Sequence, residues 1–269
     1  MLKTFILGIV QGLCEFLPVS SSGHLALFQH FFGFGGEDES LIVFDLLLHL
    51  ATVLALIIYF RREILQVLKE WFGGWLGKRN FGWAYGWAIL IATFFTGVIG
   101  LTLRKTVEQI SESPLLVGCG LILTAVILAF VPIISKSNKN TSLLKIAIFV
   151  GIAQGIAVLP GVSRSGMTIA ASLFMGMGVS EAFRFSFMIS IPAILGANLL
   201  EGLKILKAGG TSEIFLPEGY ILACVTAFVL GLASLGIMRR LVASEKWGYF
   251  SIYCLIIGVC SILISLNIL

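Results

Sequence analysis

The sequence predicts an all-α polytopic membrane protein with six transmembrane helices plus two re-entrant helical hairpins, built as an inverted-topology repeat. Three observations carry that expectation. Of 269 residues, 58% are hydrophobic and 12% charged, with a mean hydropathy of +1.03, whereas soluble domains carry about a quarter charged residues. Six stretches are apolar over lengths that cross ~30 Å of hydrocarbon. Two more apolar stretches are broken by Pro, Gly and Ser, and they match each other.

The first broken stretch, 4–32, contains EFLPVSSSGHL at 15–25. Its opening, MLKTFILGIVQGLC, has the look of a signal peptide, one Lys before an apolar run. Cleavage is not expected, because Gln11 and Glu15 interrupt the run. Three spanning candidates follow at 41–60, 84–103 and 115–134. The second broken stretch, 144–177, contains VLPGVSRSGMT at 158–168, and spans at 185–206, 219–238 and 248–268 follow it. Trp71, Trp75, Trp83 and Trp87 suit an interfacial aromatic belt.

The two broken stretches align at an offset of 143. Gly8 pairs with Gly151, Gln11 with Gln154, Gly12 with Gly155, Ser20 with Ser163, Ser22 with Ser165 and Gly23 with Gly166. The expected organisation is a first repeat at 1–135 and a second at 144–269, together one membrane domain. Three crossings per half is an odd number, so re-entrant hairpins would leave the second half inverted. Irregular backbone at membrane depth is tolerated only where protein or a water-filled cavity satisfies it. The two polar tips should therefore meet near the midplane around a cavity.

Charge sets the expected orientation. Lys3, Arg104, Lys105, Lys204 and Lys207 would share the face of the N-terminus. Arg61, Arg62, Lys69, Lys78, Arg79, Lys136, Lys139, Lys145, Arg184, Arg239, Arg240 and Lys246 would share the other. The second set is larger and should be cytoplasmic, which leaves both termini and the Glu37-Asp38-Glu39 loop external. The net charge of +4 comes without a basic tract, so no nucleic-acid partner is expected. Cys14, Cys119, Cys224, Cys254 and Cys260 are dispersed on apolar segments, as packing residues are, without zinc-site or disulfide spacing.

Candidate chemistry sits at the two tips. Arg164 inside an apolar segment needs a partner or a polar cavity, and its planar fork suits carboxylate or phosphate. Ser163, Ser165, Gly166 and Thr168 surround it with hydroxyls and backbone N–H groups at an expected helix start near 163–165, which together make an anion cradle. A structural salt bridge from Arg164 to Glu15 is the plainer reading, and both roles can share one site. Gln11 and Glu15 lie i, i+4 on one helix face. Ser20, Ser21 and Ser22 should begin a further helix, with Ser21 and His24 at i, i+3. A hydroxyl beside an imidazole with a carboxylate nearby offers nucleophile, base and orienter; the plainer readings are helix caps and a hydrogen-bonded histidine. Asp45 and His49 share a helix face and rank lower: they could border the cavity, but a helix–helix hydrogen bond is the plainer reading. His30 and Arg61-Arg62 suit hairpin-end and interfacial roles.

QGLCEFLPVSSSGH at 11–24 and LPGVSRSGMT at 159–168 resemble the two signatures of the bacterial undecaprenyl-diphosphate phosphatases, the bacitracin-resistance protein family. The resemblance covers essentially the whole chain. It implies removal of the terminal phosphate of undecaprenyl diphosphate, which recycles the lipid carrier of cell-wall synthesis at the external face of the bacterial plasma membrane. It places the family's [E/Q]-x-x-x-E pattern on Gln11 and Glu15, its serine-histidine stretch on Ser20, Ser21 and His24, and its P-G-x-S-R-S-x-x-T pattern on Pro160 through Thr168. Gln11 is the neutral alternative in the first pattern, so that pair offers one carboxylate. A divalent cation, Mg²⁺ or Ca²⁺, is implied at Glu15, with Gln11 acting through water, and would be shared with the substrate phosphates.

The expected mechanism has Arg164 and the surrounding N–H groups holding the phosphates, Ser21 attacking, His24 as base and then acid, and Glu15 orienting His24. Direct attack by His24 competes with that assignment. The expected partners are a polyprenyl diphosphate and the bilayer, with a homodimer left open. A carrier of polyprenyl phosphate is the alternative from another class, because inverted repeats with broken helices also suit alternating access.

Overall fold

The structure is a computed structural model that describes residues 1–34, 39–78, 80–134, 141–207, 216–244 and 246–268. Among the described residues there are twelve helices and no strand. Glu37, Asp38, Arg79, Lys136 and Lys139, which entered the charge reading, lie outside the described residues, as does the Glu39 side chain.

Six helices are long and apolar enough to cross a membrane, and the chain is a multi-pass membrane protein. They are α3 (Glu39–Tyr59), α5 (Phe81–Thr102), α7 (Pro114–Ile134), α10 (Val179–Lys207), α11 (Tyr220–Ala243) and α12 (Gly248–Ser265). Each falls on an expected span. Two run longer than their apolar cores, α10 through Glu181 and Arg184, and α11 through Arg239 and Arg240. Hydropathy marks only the part of a helix that lipid can touch, whereas the hydrogen-bond ladder continues into the polar interface.

The two broken stretches are pairs of short helices, α1 (Leu2–Cys14) with α2 (Ser21–Phe32), and α8 (Leu143–Ile156) with α9 (Arg164–Phe174). Pro18 and Pro160 fall in the gaps, where their missing N–H and fixed φ stop the helices. Two helices were not expected, α4 (Arg61–Trp75) and α6 (Arg104–Ser111). Both are amphipathic; on α4, Leu65, Leu68, Phe72 and Trp75 are exposed and the helix packs on α5. The four expected belt tryptophans gather there, with Trp71–Trp83 centroids 6.4 Å apart and Trp75–Trp83 5.4 Å apart.

Packing follows the sequence repeat. Helix α1 lies on α11 as α8 lies on α5; α3 packs on α11 as α10 packs on α5; α7 faces α12 and α3 faces α10. The close approaches repeat too. A Cβ on Gly8 would stand 2.5 Å from the Ala223 carbonyl oxygen, and one on Gly151 2.6 Å from that of Ala92. Glycine at these two positions lets the backbones touch. Each half thus supplies the surface on which the other half's broken segment packs. Glu201 pairs with Arg104 at 3.4 Å and Lys204 at 2.7 Å, which brings those two cations together.

Candidate active site

Each tip begins with a capping serine. Ser20 Oγ accepts from the Gly23 N–H at 3.3 Å, and Ser163 Oγ accepts from the Gly166 N–H at 3.2 Å. The next residue in each case, Ser21 or Arg164, is the first of its helix, so the caps aim those two side chains. The tips touch: the Ser165 hydroxyl donates to the Leu17 carbonyl at 3.2 Å, and a Cβ on Gly23 would stand 2.8 Å from Gly161 Cα. Ser20 has φ 68° and ψ 92°. A non-glycine residue at positive φ costs on the order of 1–3 kcal/mol and needs its surroundings to hold it.

Glu15 is the centre of the cluster. Its side chain is almost wholly buried, whereas the Arg164 side chain keeps 23% of its surface. Arg164 Nη2 is ion-paired with Glu15 Oε1. The Ser21 hydroxyl donates to Glu15 Oε2 at 2.6 Å, and Gln11 Nε2 donates to the same oxygen at 3.1 Å. His49 Nε2 lies 3.9 Å from it. Glu15 and Arg164, with Ser165, Ser186, Phe187 and Ser190, line a narrow recess with no room for a water molecule. The arrangement joins a carboxylate and a hydroxyl from one tip to a guanidinium from the other.

Several expectations are redrawn. His24 does not stand beside Ser21. Its Nδ1 is 2.9 Å from the Ser20 carbonyl and its Nε2 2.8 Å from the Tyr253 hydroxyl, so the Ser21 hydroxyl donates to the carboxylate and not to the imidazole. The anion cradle is also smaller. The Ser163 N–H donates to Thr124 Oγ1 at 2.9 Å and the Gly166 N–H is capped, so neither is offered to an anion. Thr168 Oγ1 donates to the Arg164 carbonyl at 2.8 Å and lies 2.5 Å from Ser186 Oγ. Ser20 and Ser22 hydroxyls lie 3.5 Å apart, beside the cluster without touching Glu15. His49, ranked low from sequence, reaches Glu15, while Asp45 accepts from Gln29 at 2.8 and 3.0 Å. An ionisable pair inside a spanning segment was the available signal. Ser186, Ser190 and Tyr253 carried no comparable sequence signal.

Among the described residues no group of three or more His, Cys, Asp or Glu could hold a metal ion. The implied cation nonetheless has an oxygen donor. Gln11 is fully buried and its Oε1 has no hydrogen-bond partner, one helical turn from the Glu15 carboxylate. Both Glu15 oxygens are engaged by Arg164, Ser21 and Gln11 Nε2, so the Gln11 oxygen is the donor left to a hard cation.

Comparison with known proteins assigns the family. Residues 4–260 match the model described as bacitracin resistance protein BacA. The chain is 39% identical over 264 residues to an undecaprenyl-diphosphatase of Bacteroides fragilis, covering 98% of this chain and 97% of that one. It is 40% identical over 269 residues to an undecaprenyl-diphosphatase of Parabacteroides distasonis, covering 98% of each. A protein of the same name from Methanosphaera stadtmanae is 34% identical over 280 residues, again covering 98% of each. The chain belongs to the BacA family of bacitracin resistance proteins.

Proposed function

We propose that this BacA-family protein hydrolyses undecaprenyl diphosphate to undecaprenyl phosphate and inorganic phosphate, recycling the lipid carrier of cell-wall synthesis. It is an integral-membrane hydrolase acting on a phosphoric anhydride. The observation that supports the site is the Glu15 carboxylate held between the Arg164 guanidinium and the Ser21 hydroxyl. The alternative of a polyprenyl-phosphate carrier draws no support from the relatives, whose names describe hydrolysis.

Arg164 is in the resting state the counter-charge of Glu15, and a diphosphate competes with Glu15 for it. When the terminal phosphate takes the guanidinium, a buried carboxylate loses its cation and accepts a proton more readily. The proton within reach is that of Ser21, 2.6 Å away. Ser21 Oγ attacks the terminal phosphorus, its proton passes to Glu15, and the bridging P–O bond breaks to release undecaprenyl phosphate. The departing undecaprenyl phosphate takes that proton from Glu15; water then attacks the phosphoserine, giving a proton to Glu15, which passes it to Ser21 Oγ as the P–Oγ bond breaks and inorganic phosphate leaves. Arg164 holds the equatorial oxygens through both steps; positioning and electrostatics dominate phosphoryl transfer. A Mg²⁺ or Ca²⁺ ion, were one held through the Gln11 amide oxygen, would supply further charge neutralisation. Gln11 otherwise orients Glu15, and Ser165 adds a hydroxyl beside the phosphates.

The prenyl tail stays in lipid, between helices. The groove of about 370 Å³ along α8 and α9, lined by Phe149, Ile152, Met167 and Phe174 among others, suits an isoprenoid run. We place the protein in the plasma membrane as an inverted repeat, with the α1–α2 hairpin entering from outside, the α8–α9 hairpin from the cytoplasm, both termini external and the site open to the external face. The testing assay is phosphate release from a C55 prenyl diphosphate by purified protein, with and without chelator. Release is expected, and chelation lowers it. Folded, reconstituted protein that releases none overturns the reading.

A further inference from the structure

We propose that Tyr253 is a positioning residue for this reaction: through His24 it clamps the Ser20 backbone and so aims Ser21 at Glu15. The inference rests on the function proposed above and adds a residue that neither the sequence motifs nor the family likeness marks.

The geometry forms a chain of four contacts. Tyr253, on α12, places its hydroxyl 2.8 Å from His24 Nε2, and the two rings stack with centroids 5.6 Å apart and planes 6° from parallel. His24 Nδ1 is 2.9 Å from the Ser20 carbonyl oxygen. That oxygen is only an acceptor, so Nδ1 carries the proton. In the neutral ring Nε2 then presents a lone pair, and the Tyr253 hydroxyl donates to it. One tautomer satisfies both contacts; the Ser20 carbonyl selects it and the phenol completes it. The Ser20 carbonyl also accepts the His24 backbone N–H at 3.1 Å, so one histidine grips it twice.

Ser20 is the residue that needs gripping. Its φ of 68° is uncommon for a side-chain-bearing residue, and only surrounding contacts keep it there. Ser21 follows directly, and its hydroxyl reaches Glu15 because of that turn. Relaxing Ser20 toward negative φ would swing the first residue of α2 away from the carboxylate. Tyr253 lies on the last helix of the chain, 229 residues from His24 in sequence. It reaches α2 through His24, and acts on Ser21 through the backbone.

Three measurements test this. In wild-type protein carrying isotope-labelled histidine, with the His24 signal assigned by its loss in His24→Gln, the ring should be neutral, protonated at Nδ1 and accepting at Nε2. An Nε2–H tautomer overturns the clamp whatever the variants do. Tyr253→Phe, which keeps the stacked ring, should change the His24 Nε2 signal and lower kcat on undecaprenyl diphosphate about tenfold, with KM within twofold. An unchanged kcat, or a rise in KM without a fall in kcat, overturns the proposal. Ser20→Gly, which adopts positive φ without strain, should recover at least threefold of the kcat lost in Tyr253→Phe. An additive double variant overturns the route through Ser20. If wild-type protein does not hydrolyse the diphosphate, the proposed function fails while the histidine spectrum still reports on the clamp.

Discussion

At the scale of single residues, Glu15 does two things that cannot both be at full strength. It neutralises Arg164 and it accepts the Ser21 hydrogen bond, and in the proposed mechanism substrate binding shifts it from the first role to the second. Glu15→Gln keeps the shape and removes the proton acceptor. A general base is worth about 10²–10⁴-fold, so kcat should fall by at least ~100-fold in a phosphate-release assay; a fall under tenfold would remove Glu15 from the proton path. Arg164→Lys keeps the charge and loses the planar fork. Loss of a preorganised donor to the transferring group costs about 10²–10³-fold in kcat, and that loss is expected here. Labelled substrate should leave its phosphate on Ser21 and none on Ser21→Ala protein; label recovered on His24 would replace the nucleophile. Glu15 and Arg164 were legible in sequence because charges are rare in apolar runs and their cost there demands a reason. The His24 partner was not legible. Spacing brings Ser21 and His24 within reach along one helix, but the fold supplies a Tyr253 hydroxyl that the imidazole bonds instead.

At the scale of elements, the broken helices were legible because their caps and glycines repeat at one offset, with a proline one register out in the second. Ser20 and Ser163 cap helices that begin where the sequence placed them. Helices α4 and α6 were missed because a search for long apolar runs averages away an amphipathic helix, whose apolar residues occupy one face. The close packing was half legible: the repeated Gly8 and Gly151 were visible, but not that each meets an alanine of the opposite half. This yields a contrast between two glycines. Gly8→Ala puts a methyl 2.5 Å from the Ala223 carbonyl oxygen, so α1 and α11 must separate, whereas a methyl at Gly97 meets nothing within 4 Å. Overpacking costs about 1–3 kcal/mol, while Gly→Ala in an open helix gains up to about 1 kcal/mol. Thermal unfolding in detergent should therefore show Gly8→Ala lowered and Gly97→Ala unchanged or raised. Equal shifts would mean that the α1–α11 approach is not held by this contact.

At the scale of the whole molecule, the repeat explains why the site is single although the scaffold is nearly twofold. The position matching Glu15 in the second half is Val158, and the position matching Arg164 in the first half is Ser21. Exchanging the halves therefore pairs Val158 with Ser21, which has neither base nor clamp. In the proposed function only one combination of tips carries the chemistry, and only the face from which it is reached would receive a diphosphate. The orientation proposed here makes that face external, and each connection then has an assigned side. With the five native cysteines first replaced, single cysteines can be introduced at Lys3 and Glu218, expected outside, and at Lys69 and Lys246, expected inside. A membrane-impermeant maleimide added to intact cells should label Lys3→Cys and Glu218→Cys and leave Lys69→Cys and Lys246→Cys unlabelled until the cells are opened. The reverse pattern would turn the protein over, because α10, α11 and α12 alternate in direction and fix every later side from the first. Labelling of all four in intact cells would instead deny that these connections lie on opposite sides of one bilayer.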